Sequence, residues 1–206
     1  MNKILSLFTV LALFSSCEKK EILLPKADVS VVKTVSDISK IDFFFKIENN
    51  DTLVDINKNT VISTTNWIFN IDKRLPLKTI LPEIIKLQEK KLKRKSSEDL
   101  PKANFYSYAD SIGKNLAFIP FTNVTYKLEK PKTGIAVYFA KNNQLFVNTV
   151  PVKREDLQMH LNTTNGIFEK VNICFDKNMS YGTYIQNKLF IRTIEAKMIG
   201  FTEFVY

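Results

Sequence analysis

Chemistry in this chain would have to start from a histidine, a thiol or a pair of carboxylates, and it offers few of them. There is one histidine, His160, and there are two cysteines, Cys17 and Cys174. A general base needs a nucleophile within reach and a partner to orient it. No Gly-x-Ser-x-Gly motif supplies that nucleophile, so His160, in the segment Glu155-Asp156-Leu157-Gln158-Met159-His160, reads as a surface or core-edge residue of a helix. One histidine and one strand cysteine do not make a zinc ligand set. The five glycines are scattered and build no phosphate-cradling loop. Glu98-Asp99 and Glu155-Asp156 are paired carboxylates, but both fall at loops or helix starts, where solvation and the helix dipole account for acidic residues. The basic run Lys90 to Lys95 closes a helix, where cations complement the negative end of the dipole. These residues point to a protein that is not an enzyme and holds neither cofactor nor metal.

The elements that would carry these residues follow from hydrophobic periodicity. Strands are expected at Asp28 to Lys33, Ile41 to Glu48, Thr52 to Ile56 and Trp67 to Ile71, with Asn49-Asn50-Asp51 as a hairpin turn. Leu77, Ile80, Leu81, Ile84 and Ile85 share one helical face, which predicts a helix over Leu75 to Lys95 with Pro82 in or beside its opening turn. Short strands follow at Phe105 to Tyr108, Leu116 to Ile119 and Val124 to Leu128, and Pro131-Lys132-Thr133-Gly134 marks an internal boundary. Beyond it come strands at Ile135 to Phe139 and Leu145 to Val150, and a helix at Lys153 to Leu161 that opens on Glu155 and Asp156. A strand at Val171 to Phe175, a helix at Ser180 to Lys197 and a strand at Phe201 to Tyr206 complete the chain. The expected fold is α+β, two tandem ββαβ-type modules (28–130 and 131–206) of small mixed sheets with helices packed on one face. Asn66-Trp67-Ile68-Phe69 with Leu75-Pro76-Leu77-Lys78 echoes Asn143-Gln144-Leu145-Phe146 with Val150-Pro151-Val152-Lys153, and Asn104-Phe105 echoes Asn172-Ile173, as a duplication would.

The first residues set a compartment. Met1-Asn2-Lys3 is followed by an apolar run from Ile4 to Phe14 and by Ser15-Ser16-Cys17. Spanning a bilayer takes about 20 apolar residues; this run is shorter and has the flanks of a secretory signal peptide over 1–16. Phe14-Ser15-Ser16-Cys17 resembles a bacterial lipobox, with Phe14 where leucine is usual. That resemblance implies cleavage before Cys17, a diacylglyceryl thioether on its sulfur and an acylated new N-terminus, which together anchor a protein stably. Residues 17–27 would then form a lipidated tether in the cell envelope, at the outer membrane or its periplasmic side. Removing 1–16 takes only Lys3 from a net charge of +9. An exported protein meets anionic lipid or acidic cell-wall polymer rather than nucleic acid, and most of this charge reads as a solvated basic surface. With Cys17 lipidated, Cys174 has no disulfide partner, and its run Val171-Asn172-Ile173-Cys174-Phe175 makes it a small buried thiol. Asp51-Thr52-Leu53 and Asp110-Ser111-Ile112 resemble a short bacterial O-glycosylation sequence.

The second half, from the hairpin GIAVYFAKNNQLFVNTVPV through the helix KREDLQMHL to the strand and turn VNICFDKNMSYG, resembles the periplasmic domain of the ExbD/TolR biopolymer-transport family. In that family a hairpin, helix, strand, helix and strand occur in this order, with an aspartate closing the third strand and Tyr-Gly opening the next helix. Asp176, Tyr181 and Gly182 stand at those places. The first half reads as a degenerate copy, Ala109-Asp110-Ser111-Ile112-Gly113 not being followed by a clear helix. Motor members of the family carry a transmembrane helix with a proton-conducting aspartate. Residues 4–16 contain no ionisable group, and an intramembrane carboxylate is what a proton relay needs. The resemblance therefore implies an envelope-side binding or scaffolding module on a lipid anchor, accessory to a transport system, rather than a motor. A second reading is an envelope lipoprotein that binds a soluble ligand or anionic polymer.

Overall fold

The computed structural model describes residues 20–59, 61–93, 102–164, 170–194 and 199–206. Cys17, the signal sequence and the pair Glu98-Asp99 lie outside them. Among the described residues the chain is α+β, with two six-stranded mixed sheets and three helices.

The first sheet is built around a hairpin whose residues alternate between core and solvent. β2 (Ile38–Glu48) turns through Asn49 and Asn50, both at positive φ (51° and 63°), into β3 (Asp51–Asn57). Two successive left-handed residues make the tight turn that matches strand twist, and asparagine adopts that conformation at low cost. β4 (Asn66–Ile71) lies parallel to β2, and β5 (Asn104–Asp110) lies parallel to β4. Between them runs α1 (Leu77–Lys93), whose buried stripe is Leu77, Ile80, Leu81, Ile84 and Leu87. β6 (Asn115–Pro120) returns antiparallel to β5, and β1 (Lys26–Ala27) pairs parallel with the far end of β5. Pro82 lies inside α1 rather than in its opening turn. Its missing N–H leaves the carbonyl of exposed Lys78 to water.

The second sheet is ordered β10-β9-β8-β11-β12-β7. β7 (Thr125–Lys127), β8 (Ile135–Phe139), β11 (Val171–Phe175) and β12 (Ile199–Val205) are parallel. β9 (Leu145–Val147) and β10 (Val150–Val152) complete an antiparallel meander on β8. α2 (Leu157–Thr164) precedes β11 and α3 (Tyr181–Ile191) follows it. Every residue of β11 is buried, the pattern of a parallel strand covered on both faces.

Several expectations are corrected. Asp28 to Lys33 is no strand beyond a single bridge from Val32 to Phe118; Ser30 and Val31 instead bond the side chains of Asp110 and Tyr108. Leu145 to Val150 is not one strand: Val150-Pro151-Val152 is a strand of its own, because Asn148 at positive φ (55°) folds it back on β9. α2 starts at Leu157, so Glu155 and Asp156 lie in the turn before it. α3 ends at Ile191, with Arg192 as its cap, well before Lys197. The expected tether is bonded into the fold from Leu23 onward: Leu23 N–H donates to Asp72, its carbonyl accepts from Lys73, and the Pro25 carbonyl accepts from Ala109. β7 precedes the boundary at residue 130 yet belongs to the second sheet.

One buried cluster spans both sheets. Tyr106 stacks on Phe121 at 3.7 Å and meets Tyr181 and Tyr184 edge-on at 5.7 and 6.2 Å, so rings from the two halves share a single core.

Candidate functional site

The two halves meet through one local sequence used twice. Asp72-Lys73-Arg74-Leu75-Pro76-Leu77 follows β4, and Asp176-Lys177-Asn178-Met179-Ser180-Tyr181 follows β11. Each aspartate donates its N–H to a carbonyl of the neighbouring parallel strand, Asp72 to that of Phe43 (3.1 Å) and Asp176 to that of Phe139 (3.0 Å). Each carboxylate accepts from the amide two residues on, Arg74 at 3.0 Å and Asn178 at 2.7 Å, closing an Asx turn. The helix starts then bond each other reciprocally. Leu77 N–H donates to Met179 (2.9 Å) and Tyr181 N–H to Leu75 (2.7 Å); Lys78 donates to Lys177 (2.8 Å) and Gly182 to Lys73 (2.9 Å). A helix start leaves four amides without internal partners, and here each helix has some of them satisfied by the turn of the other half. Gly182 has a physical reason to be glycine, since a Cβ there would lie 3.1 Å from Lys73 Cβ and 3.3 Å from its carbonyl oxygen.

This pairing relates β4-Asp72-α1 to β11-Asp176-α3. The echo expected between Asn66-Trp67-Ile68-Phe69 and Asn143-Gln144-Leu145-Phe146 matches β4 to β9 instead, and Asp110 is not the counterpart of Asp176. The repeated Asp-Lys-x-apolar signature was the usable signal. The two halves differ in one connection: among the described residues α2 has no helical counterpart in the first half.

Beside this junction lies a chain of buried polar groups. The hydroxyls of Tyr106 and Tyr126 are 2.7 Å apart and those of Tyr126 and Tyr184 3.3 Å apart. Tyr184 donates to Glu203 Oε2 at 2.6 Å, and Lys188 pairs with Glu203 Oε1. Tyr181 Oη is buried without a partner. Burial pushes all four phenols well above their ordinary range, with the Glu203 charge adding to the effect on Tyr106, Tyr126 and Tyr184. All four stay neutral, and Tyr106, Tyr126 and Tyr184 act as hydrogen-bonding groups rather than as phenolate bases.

Other charged side chains lie around the two halves. Burial alone would raise the Asp72 carboxyl, but the Arg74 guanidinium and the amides of Arg74 and Leu23 outweigh it and hold it below the usual carboxylate range. Lys91 turns inward from the basic run, donates to Ala103 O and Asn104 Oδ1, and lies 4.6 Å from the Trp67 ring; burial lowers its amine to about 8. Arg154 lies over Phe190 (4.9 Å) and Phe139 (5.7 Å) and bonds the Asn187 amide oxygen. Nothing in the sequence marked Arg154, because its setting comes from rings on β8 and α3.

The structure does not gather the residues singled out from sequence. His160 is half-buried on α2. Cys174 is fully buried, and burial pushes its thiol up to about 12, as a structural cysteine requires. In the turn before α2, Glu155 is exposed and Asp156 half-buried. Lys90 and Lys93 lie on the outer side of α1, and Arg94 and Lys95 lie outside the described residues. Thr52 is half-buried in β3, and Ser111 is exposed in a turn. Among the described residues no three His, Cys, Asp or Glu side chains are grouped to hold a metal ion, and no helix is long and apolar enough to cross a membrane. No family model, no curated protein and no solved structure matches this chain.

Proposed function

We propose that this chain is a lipoprotein anchored in the bacterial envelope through Cys17, and that it works as a non-catalytic binding or scaffolding module beside an ExbD/TolR-type transport system. The observation that carries this reading is the order β8-β9-β10-α2-β11-α3-β12, with Asp176 closing β11 and Tyr181-Gly182 opening α3. Those three residues serve assembly: Asp176 closes the Asx turn, Tyr181 enters the shared core, and Gly182 admits the close approach of Lys73. A pair of such units in one chain suits a scaffold, since reciprocal hydrogen bonds join the two halves.

The test is purification from the native envelope after gentle crosslinking, comparing the intact chain with Cys17→Ser. Co-purification of transport-motor components, lost in Cys17→Ser, is the expected result. Recovery of the intact chain alone, or with polysaccharide, overturns the scaffold reading. Thiol counting on the denatured protein checks the anchor separately: a lipidated chain yields only the Cys174 thiol, whereas an unmodified one yields that of Cys17 as well.

A further inference from the structure

Among the described residues two arginines lie against aromatic rings, and only one of them pairs with a carboxylate. Arg74 lies 4.2 Å from the centre of the Phe45 ring and pairs with fully buried Asp72 through Nε (2.8 Å) and Nη2 (2.7 Å). Arg154 lies over Phe190 and Phe139 and, among the described residues, bonds the neutral amide of buried Asn187 alone. Among the described residues no carboxylate lies within ion-pair distance of Arg154. Burial draws its guanidinium below the usual value with no opposing charge to restore it. A partly desolvated cation without a counter-ion is costly, and a guanidinium has five donors, most of them here without an acceptor among the described residues.

Arg154 also borders a surface concavity of about 350 Å³. Pro151 and Val152 give it an apolar wall, Asn143 and Gln144 bring side-chain amides, and Lys153 and Glu155 stand beside Arg154. Neither Lys153 nor Arg154 is paired with Glu155 at ion-pair distance. We propose that this concavity binds a carboxylate of an acidic peptide segment, with Arg154 as the anchoring charge and Lys153 as its support. The planar guanidinium fork fits a carboxylate through two parallel hydrogen bonds. The apolar wall and the two amides suit a peptide chain around that group. Pro151 removes a backbone donor from edge strand β10, so recognition here runs through the acidic group rather than through an added strand. The site does not depend on the lipid on Cys17, so its failure and that of the anchor are separately visible.

The full chain in neutral detergent micelles would be titrated with tetraglutamate and, separately, with inorganic phosphate, following the Arg154 guanidinium and the Asn143 and Gln144 side-chain amides by NMR. Saturable shifts at these groups are expected with tetraglutamate. Arg154→Lys should weaken binding by about tenfold or more, and Lys153→Ala by about threefold. Lys130→Ala, on the opposite face of the sheet, should leave it unchanged. Absence of saturable shifts, or an Arg154→Lys titration equal to the parent's, overturns the site. Phosphate binding as tightly as tetraglutamate overturns the acidic-peptide assignment. If Arg154→Lys lowers the thermal midpoint, Lys153→Glu at the exposed rim replaces it; unchanged tetraglutamate affinity in that variant also defeats the proposal.

Discussion

The faces of the two sheets turned away from the shared core are built from opposite materials at corresponding positions. In the first sheet Asp42, Asn70 and Ser107 form a polar row: Asn70 Nδ2 donates to Asp42 at 2.7 Å and Ser107 Oγ to Asn70 Oδ1 at 2.7 Å. In the second sheet the matching row is Tyr138, Cys174 and Phe204. The β7–β8 connection reaches over it, with Lys130 above Tyr206 at 5.4 Å and the Thr133 carbonyl accepting from Asn172 at 2.7 Å. One strand topology thus accepts either row. Inner faces must match each other because they share a core, whereas each outer row answers only to what covers it.

The largest effect is expected where the halves join and neither row matters. The four buried phenols are pushed above their ordinary value, so the unfolded chain releases their protons first as pH rises past about 10. The stability they contribute is complete below that pH and is lost above it. Alkaline titration should therefore show tyrosinate absorption and loss of near-ultraviolet circular dichroism in one cooperative step. Gradual ionisation of these four rings in a still-folded protein would show that they are not closed in.

Lys188→Met comes next. It leaves Glu203 as an uncompensated buried charge beneath Tyr184, and urea unfolding should register a loss of about 3 kcal/mol or more. A loss below about 1 kcal/mol would mean that water reaches Glu203. The outer rows are then compared directly by moving a residue between them. Cys174→Asn places an amide where the first sheet has Asn70 but supplies no row of partners, and should cost about 2 kcal/mol. Asn70→Ala removes the middle of the polar row and should cost about 1 kcal/mol, since partly exposed Asp42 can turn to water. If the two costs were reversed, the two faces would not differ in cover as described. The smallest expected signal is a rate: in the native protein, Cys174 should react with thiol reagents far more slowly than after denaturation.

Much of this architecture was legible in the residues. Asn49-Asn50 between alternating strands marked the β2–β3 hairpin, the apolar stripe marked α1, and the unbroken apolar run marked β11. These are short-range signals, and each element's own side chains suffice to impose them. What escaped notice depends on distant neighbours. Val150-Pro151-Val152 is a strand only because β9 lies beside it, and the correspondence of Asp72 with Asp176 is obscured by α2, which has no counterpart among the described residues of the first half. Arg154 could not be marked at all, since its setting among the rings of Phe139 and Phe190 is a property of the space around it.

By itself the sequence determined the α+β class, the burial of Cys174 and most of the strand and helix positions, because periodicity and turn chemistry act within a few residues. Only the tertiary structure decided that the two Asp-Lys turns cap each other's helices, that three buried phenols form one chain to Glu203, and that Arg154 has no counter-charge among the described residues. Those facts rest on hydrogen bonds and desolvation between residues far apart in the chain, and such energies exist only once the halves have closed on each other.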